Sequence, residues 1–162
     1  MRVTTFSGSI LDRAALLIKD AEGFSATWYV DSTGNQTIGY GFKYDGIANQ
    51  FLNVNSLTTD EATAILNDVL MDLYPELLKT FKFIQKQEIS GNIVAVLIDM
   101  AYNLGIAQLQ QFLTFLGDLR AGMIEEAVAD MLNTEWAGQV GNRAIRDALN
   151  LLAASNTLYL IN

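Results

Sequence analysis

Cysteine and histidine are absent from the 162 residues of this chain. Without cysteine there are no disulfide bonds, thiol nucleophiles or zinc–thiolate clusters. Without histidine there is no serine–histidine or cysteine–histidine triad, no HExxH metal site and no histidine general base. Any proton transfer at neutral pH must then use carboxylates, lysine or tyrosine. We expect chemistry that needs neither a metal nor an organic cofactor.

Positive charge is scarce as well. The chain has 10 lysine and arginine residues against 18 aspartate and glutamate residues, which gives a formal net charge of −8. This balance argues against a nucleic-acid partner, because phosphate binding draws most of its free energy from lysine and arginine. The longest apolar run, Ile93 to Ile98, is far shorter than a membrane span. No apolar stretch of signal-peptide length follows the N-terminus, so we expect cytoplasmic synthesis without a cleaved signal peptide.

The remaining composition is that of a compact globular protein. Hydrophobic residues make up 51% and charged residues 17% of the sequence, which suits one unit or two small lobes that share a core. No internal repeat, low-complexity tract or linker interrupts the chain. We therefore predict a single domain over residues 1–162.

The first third of the chain predicts one helix followed by a small sheet. Apolar residues recur at helical spacing over about residues 9–22, with Ser9 as the N-cap. The β-formers of Thr27 to Asp31 and of Thr37 to Gly41 flank a turn-rich segment, which predicts a hairpin. A third strand or an extended loop would cover Phe42 to Ile47.

The rest of the chain predicts helices only. Thr59-Asp60-Glu61 is a strong helix start, and the apolar stripe after it continues to the only proline, Pro75. The segment between Ser90 and Gly105 is apolar nearly all round, as in a helix buried at the centre of a bundle. Shorter helices are predicted at about residues 108–121, 124–133 and 142–154. One helix, a small sheet and a helical remainder indicate an α+β fold.

Three polar residues near the hairpin form the strongest candidate site. Glu22 stands at the C-terminal end of the first helix, and Asp31 follows nine residues later on the hairpin. This places two carboxylates of different surroundings on opposite walls of a cleft, which fits acid–base hydrolysis. Thr37 lies across the hairpin from Asp31, where its hydroxyl could hold an attacking water. Each residue alone is common in a structural role, and their joint spacing favours catalysis.

A dense group of motifs lies between residues 22 and 41, namely Glu22-Gly23, Tyr29-Val30-Asp31, Gly34 and Thr37-Ile38-Gly39-Tyr40-Gly41. Their residue types and spacing resemble the catalytic signature of the phage lysozymes of the T4 type, glycoside hydrolase family 24. The similarity covers about residues 14–153, and it continues through Thr59-Asp60-Glu61-Ala62, Met100 to Gly105, Glu126-Ala127 and Trp136 to Arg146.

The resemblance implies a role for each residue that matches the family pattern. Glu22 corresponds to the general acid. Asp31 corresponds to the carboxylate that supports the attacking water or the developing oxocarbenium charge, and Thr37 to the water-positioning hydroxyl. Arg143 corresponds to the arginine that pairs with the catalytic glutamate, its alternative being an exposed arginine at a helix start. The residues that would face the sugar cleft are Tyr102 and Asn103, although Tyr102 could instead complete the core stripe.

The resemblance also implies a fold and an activity. The fold would be lysozyme-like, with a β lobe over about residues 22–57 and a helical lobe over about residues 58–162. The activity would be hydrolysis of the β-1,4 bond between N-acetylmuramic acid and N-acetylglucosamine in bacterial peptidoglycan, with inversion at the anomeric carbon. A phage endolysin of this kind, expected to be a monomer, would need a holin or similar pore to leave the host cytoplasm and reach the cell wall.

Two features depart from the family pattern. Phe42 follows the Thr37 to Gly41 motif, where the family usually has a histidine. That loss should alter stability and pH dependence more than chemistry. The net charge of −8 should slow encounter with an anionic wall polymer and make activity depend on ionic strength or divalent cations.

Other functions remain open at this point. A protein that grips cell-wall glycan without cutting it would not require a carboxylate on each wall of a cleft. A helical interaction protein leaves the glycine-rich hairpin unexplained. A lytic transglycosylase typically works with one catalytic acid, so a requirement for Asp31 would argue against it. A calcium site over Asp31 to Thr37 is disfavoured, because Gly34 falls at the fourth place of the loop and an EF-hand needs glycine at the sixth.

Overall fold

A computed structural model describes residues 7–44, 54–86 and 89–159 of the chain. Within these residues the fold is mostly helical with one small antiparallel sheet, which confirms the α+β prediction. In chain order the elements are α1 (Ser7–Glu22), β1 (Ser25–Val30), β2 (Gln36–Gly39), β3 (Phe42–Lys43), α2 (Thr59–Thr80), α3 (Phe83–Lys86), α4 (Gly91–Leu104), α5 (Ile106–Leu109), α6 (Leu113–Ala121), α7 (Ile124–Leu132), α8 (Glu135–Val140) and α9 (Asn142–Tyr159).

Helix α1 places Glu22 at its C-terminal end. Its apolar face buries Ile10, Ala14 and Ile18, and the helix packs on α4. It stops because Gly23 takes a positive φ of 66° while its N–H still bonds the carbonyl of Lys19. The end of the helix is thus where the sequence predicts it. The predicted N-cap is wrong, since the helix already includes Ser7 and so contains Ser9 in its first turns.

The three strands pair in the order β1–β2–β3, all antiparallel. Thr37 pairs with Tyr29, so the expectation that Thr37 faces Asp31 across the hairpin is wrong in register. The reason is that Asp31 already belongs to the turn: its N–H bonds the carbonyl of Asn35, and its own carbonyl accepts from Gly34. The third strand is limited to Phe42–Lys43, and residues 45–47 of that prediction lie outside the described residues.

Helix α4 forms the centre of the helical part, as its apolar sequence predicts. Every residue from Ile93 to Ala101 is buried, and the helix packs against α1, α2 and α9. Ser90 caps its N-terminus and Gly105 follows its last residue, both as predicted. One member of this buried stretch is charged: Asp99 has 0% exposure.

The other helices follow the sequence with changes at their ends. A capping box between Thr58 and Glu61 starts α2, which runs through Pro75 to Thr80. Pro75 is tolerated because it is exposed, so the carbonyl of Met71 that loses its helical partner can bond water. The single helix predicted at residues 108–121 is two short ones, α5 and α6, and α9 extends past residue 154. None of the described helices is long and apolar enough to cross a membrane.

Candidate active site

A cavity of about 410 Å³ opens between the C-terminal end of α1, the sheet, and the helices α2 and α4. Its lining contains four of the residues singled out from the sequence, and Asp31 lies beyond one of them, Thr37, in the hairpin turn. The lining residues are Glu22, Thr37, Gly41, Lys43, Val69, Leu73, Ala101, Tyr102, Asn103, Leu104 and Gly105. The mixture of apolar walls and a few convergent polar groups is typical of a ligand site.

Glu22 is held in one orientation by two neighbours. Its Oε1 accepts a hydrogen bond from Nη1 of Arg143 at 2.7 Å. Its Oε2 lies against the backbone of Gly41, where an added Cβ would come within 2.6 Å of the oxygen. Since the Glu22 side chain is 22% exposed, the carboxyl group is largely enclosed but still reaches the cavity. Oε1 is therefore held by the Arg143 guanidinium. Oε2 can still contact a ligand in the cavity because Gly41 has no side chain.

We expect Gly41→Ala to reduce activity by about 100-fold, because the new Cβ displaces the Glu22 carboxyl group and a misplacement of about 1 Å can cost this much. The alanine also meets a positive φ of 80°, which itself costs about 1–2 kcal/mol of stability. Gly122→Ala is the matched control, since Gly122 has φ 77° and no atom within 4 Å of its added Cβ. If both variants hydrolysed peptidoglycan equally well, the contact with Glu22 would have no effect on activity.

Asp31 is held by the turn of the hairpin. Its Oδ1 accepts from the N–H groups of Thr33 and Asn35, both at 2.9 Å, and from the Thr33 hydroxyl at 2.7 Å. The Asn35 N–H, followed by the Thr33 hydroxyl, lowers the pKa of Asp31 to about 2. Oδ2 has a weaker contact, at 3.4 Å from the Thr37 hydroxyl. Asp31 is thus a stable anion with one saturated oxygen and one oxygen that can accept more.

Thr37 connects this turn to the cavity. The residue is 1% exposed, and its hydroxyl lies 3.0 Å from the carbonyl oxygen of Asn35 and 3.4 Å from Oδ2 of Asp31. A hydroxyl has one hydrogen to donate and two lone pairs to accept with. When the hydrogen goes to the closer acceptor, Asn35, the lone pairs are left for a donor such as water.

Tyr29 is a site residue that sequence reasoning missed as a functional group. It pairs with Thr37 in the sheet, and its phenol group lies within electrostatic range of both Glu22 and Asp31. Burial, followed by the charges of Glu22 and Asp31, raises the pKa of Tyr29. The phenol therefore stays neutral and can donate a hydrogen bond. Its position within Tyr29-Val30-Asp31 was the available signal.

Tyr102 and Asn103 both reach the cavity from the last turn of α4. The Tyr102 hydroxyl donates to the carbonyl of Tyr40 at 2.7 Å, and its ring packs against the core as well as lining the cavity. Burial, with a smaller contribution from Glu22, raises the pKa of Tyr102. Asn103 is exposed, and its Oδ1 accepts from Nε1 of Trp136 at 2.8 Å. That bond fixes the Asn103 side chain and leaves its NH₂ group as a donor.

Arg143 reaches Glu22 from α9, as the resemblance implies. The arginine is buried, so the alternative of an exposed residue at a helix start is wrong. Burial alone would lower the pKa of Arg143, but hydrogen bonds and charge from Asp99 and then Glu22 outweigh burial and leave the pKa raised. Sequence reasoning missed Asp99. Its signal was available, since it is the one charged residue within the apolar stretch of α4.

Phe42 occupies the position at which the T4-type phage lysozymes that the sequence resembles usually have histidine. Its side chain is 1% exposed, and its ring lies so close under Gly39 that a Cβ there would meet Phe42 Cε2 at 2.6 Å. The corner between β2 and β3 is therefore stabilised by apolar packing.

In the described residues no group of three or more acidic side chains is placed to hold a metal ion.

The comparison with known families agrees with this geometry. The sequence profile of the phage lysozyme family matches residues 19–149, a span that includes Glu22, Asp31, Thr37 and Arg143. No curated protein matches the chain. Since the match covers well over half of the chain, the protein belongs to the phage lysozyme family, the peptidoglycan hydrolases of bacteriophages.

Proposed function

We propose that this protein is a muramidase, which hydrolyses the β-1,4 bond between N-acetylmuramic acid and N-acetylglucosamine. The observation that supports this most directly is the placement of Glu22 in the cavity wall, with Oε1 fixed by Arg143 and Oε2 free beside Gly41. Thr37 lines the same cavity, and Asp31 stands behind it. An acid in the cavity wall with a second carboxylate nearby supports acid-catalysed cleavage of a glycosidic bond.

Glu22 acts as the general acid. The proton that it transfers leaves from Oε2, because Oε1 is occupied by the Arg143 bond. Transfer of that proton to the glycosidic oxygen breaks the bond to the leaving sugar and leaves Glu22 as a carboxylate. The Arg143 guanidinium stabilises the charge that develops on Glu22 in this step.

Asp31 and Thr37 act on the water. The water donates one hydrogen to the free lone pairs of Thr37 and another to Oδ2 of Asp31, so its own lone pair is directed at the anomeric carbon. An anion whose pKa is about 2 is a weak base. Asp31 therefore contributes mainly by orienting the water and stabilising the oxocarbenium charge, and it accepts the proton late. Attack from the face opposite the leaving group inverts the anomeric configuration.

Tyr102 and Asn103 contribute to substrate binding in this proposal. The NH₂ group of Asn103 can donate to a sugar hydroxyl or acetamido oxygen, since its carbonyl oxygen is held by Trp136. Tyr102 lines the same cavity, within electrostatic range of Glu22.

The biological role we propose is that of a phage endolysin in host lysis. The chain would act as a single lysozyme domain and a monomer, synthesised in the host cytoplasm and released to the cell wall through a holin or similar pore. The net charge of −8 predicts that encounter with an anionic wall polymer becomes faster as ionic strength rises.

Product analysis of purified peptidoglycan tests the proposal. We expect fragments that end in N-acetylmuramic acid at the reducing end, with the α anomer formed first, because inversion of a β bond gives α. Anhydromuramyl ends would show a lytic transglycosylase. Binding of the glycan with no fragments released would show a non-catalytic wall-binding protein, and either result would overturn the muramidase proposal.

A further inference from the structure

A buried cluster of charged groups lies behind Glu22 and extends past the Arg143 contact. Arg143 donates from Nε and Nη2 to the two carboxylate oxygens of Asp99, at 3.0 and 2.8 Å. Asp147 follows one helical turn after Arg143 on α9, and its Oδ1 lies 3.5 Å from Nη2 of Arg146, the same nitrogen that lies 3.7 Å from Oδ2 of Asp99. Both aspartates have 0% exposure. Two carboxyl groups thus share a site that solvent does not reach.

Two adjacent carboxylates in a buried site do not both ionise readily, because each charge opposes the other. Asp99 is the anionic member, since both of its oxygens accept from Arg143. The two oxygens of Asp147 are buried without a hydrogen-bond donor, and Nη2 of Arg146 is 3.5 Å from Oδ1. A proton on Asp147 removes the second buried charge and also supplies a donor toward Asp99.

We propose that Asp147 carries a proton in the folded protein and donates it in a hydrogen bond to Asp99, and that Asp147 thereby positions Arg143 and, through it, Glu22. This inference rests on the function proposed for Glu22. Asp147 and Asp99 meet at Nη2 of Arg146, Asp99 accepts from two nitrogens of Arg143, and the third nitrogen of Arg143 donates to Glu22. Because a guanidinium is planar and rigid, fixing two of its nitrogens fixes the direction of the third.

The charges around the cluster agree with a neutral Asp147. Asp20 of α1 pairs with Arg146, and Asp99 and Glu22 both pair with Arg143, so three other carboxyl groups already face the two arginines. Burial, followed by the contact with Asp99, raises the pKa of Asp147 to about 9, although Arg146 and Arg143 oppose the rise. The other charged groups on the helices packed against α9 are exposed or bonded elsewhere, namely Glu125, Glu126 and Asp130 of α7 and Glu135 of α8.

Two substitutions of Asp147 distinguish the effect of its proton from the effect of its side-chain shape. Asp147→Asn keeps an N–H donor toward Asp99 but cannot ionise, whereas Asp147→Leu fills a similar space without a donor. The first measurement is the urea midpoint of unfolding as a function of pH. The folded-state pKa lies above the ordinary value of 3.8, so the proton's contribution to stability is complete below about pH 4 and is lost as the pH rises to about 9. We expect the wild-type midpoint to fall relative to that of Asp147→Asn over this interval.

The second measurement is turnover of peptidoglycan. We expect Asp147→Leu to lose about tenfold in kcat with little change in KM, and Asp147→Asn to recover most of that loss. Parallel urea midpoints for wild type and Asp147→Asn would overturn the proton on Asp147. Equal kcat for wild type and Asp147→Leu would overturn its positioning role.

The outcome does not depend on the behaviour of one variant. If Asp147→Leu does not fold, the comparison of wild type with Asp147→Asn still decides whether the proton is present. Failure of the muramidase proposal would appear separately, as different products from the wild-type protein, and would leave the urea result unchanged.

Discussion

Replacing Glu22 with glutamine is expected to reduce the rate of peptidoglycan hydrolysis by about 10²- to 10⁴-fold, the range that a positioned general acid contributes. Glutamine has nearly the same size, and its Oε1 can still accept from Nη1 of Arg143. It cannot give a proton to the glycosidic oxygen. The loss should therefore appear in kcat with KM little changed, measured as release of reducing ends from purified peptidoglycan.

A control is needed because this substitution also removes one negative charge from a chain whose net charge is −8. Glu125→Gln makes the same change on the exposed side of α7, away from the cavity. We expect it to hydrolyse peptidoglycan as fast as wild type, or slightly faster at low ionic strength. If Glu22→Gln were as active as Glu125→Gln, Glu22 would not be the acid. Thermal unfolding of both variants would show that the fold is retained.

The parts of the fold that could be predicted from the sequence are those fixed by local signals. The end of α1 at Glu22 follows from a glycine that adopts a positive φ, and the start of α2 follows from a capping box. The central position of α4 follows from an apolar circumference, which only a buried helix carries. These signals also place the catalytic candidates, because Glu22 lies at a helix end and Asp31 at a turn.

The parts that could not be predicted depend on contacts between distant segments. Arg143 is 121 residues from Glu22, and the buried group it joins contains Asp99 and Asp147 from two different helices. Nothing in the local sequence shows that these carboxyl groups meet. The hairpin register is a smaller example. The turn geometry at Asp31 decides whether Thr37 pairs with Asp31 or, as observed, with Tyr29, two residues earlier in the strand.

Apolar packing at position 42 takes the place of a histidine side chain. Where the family usually has histidine, Phe42 packs under Gly39 in the corner between β2 and β3. This corner holds Gly41 against Glu22, so apolar packing positions the acid on this side. On the other side the charged cluster around Arg143 does so. Glu22 is thus fixed from both directions without a histidine.

The second large effect is expected for Asp31→Asn, which should reduce hydrolysis by at least about 100-fold while the fold is kept. The asparagine carbonyl can take the place of Oδ1, where the Thr33 and Asn35 donors converge. Its NH₂ group then replaces Oδ2 and faces the Thr37 hydroxyl. A donor in that place cannot accept from the attacking water or offset positive charge at the anomeric carbon, so the loss should again be in kcat.

Stability measured against pH gives Asp31→Asn an independent readout. The pKa of Asp31 is lowered to about 2, so the wild-type side chain stabilises the fold above its ordinary pKa of 3.8, and this contribution is lost as the pH falls through about 2. The melting temperature of Asp31→Asn should therefore decline less than that of wild type between about pH 4 and pH 2. Asp12→Asn, an exposed substitution on α1, is the matched control for charge. Full activity in Asp31→Asn combined with the flatter acid profile would mean that the carboxylate stabilises the hairpin turn and that Thr37 alone orients the water.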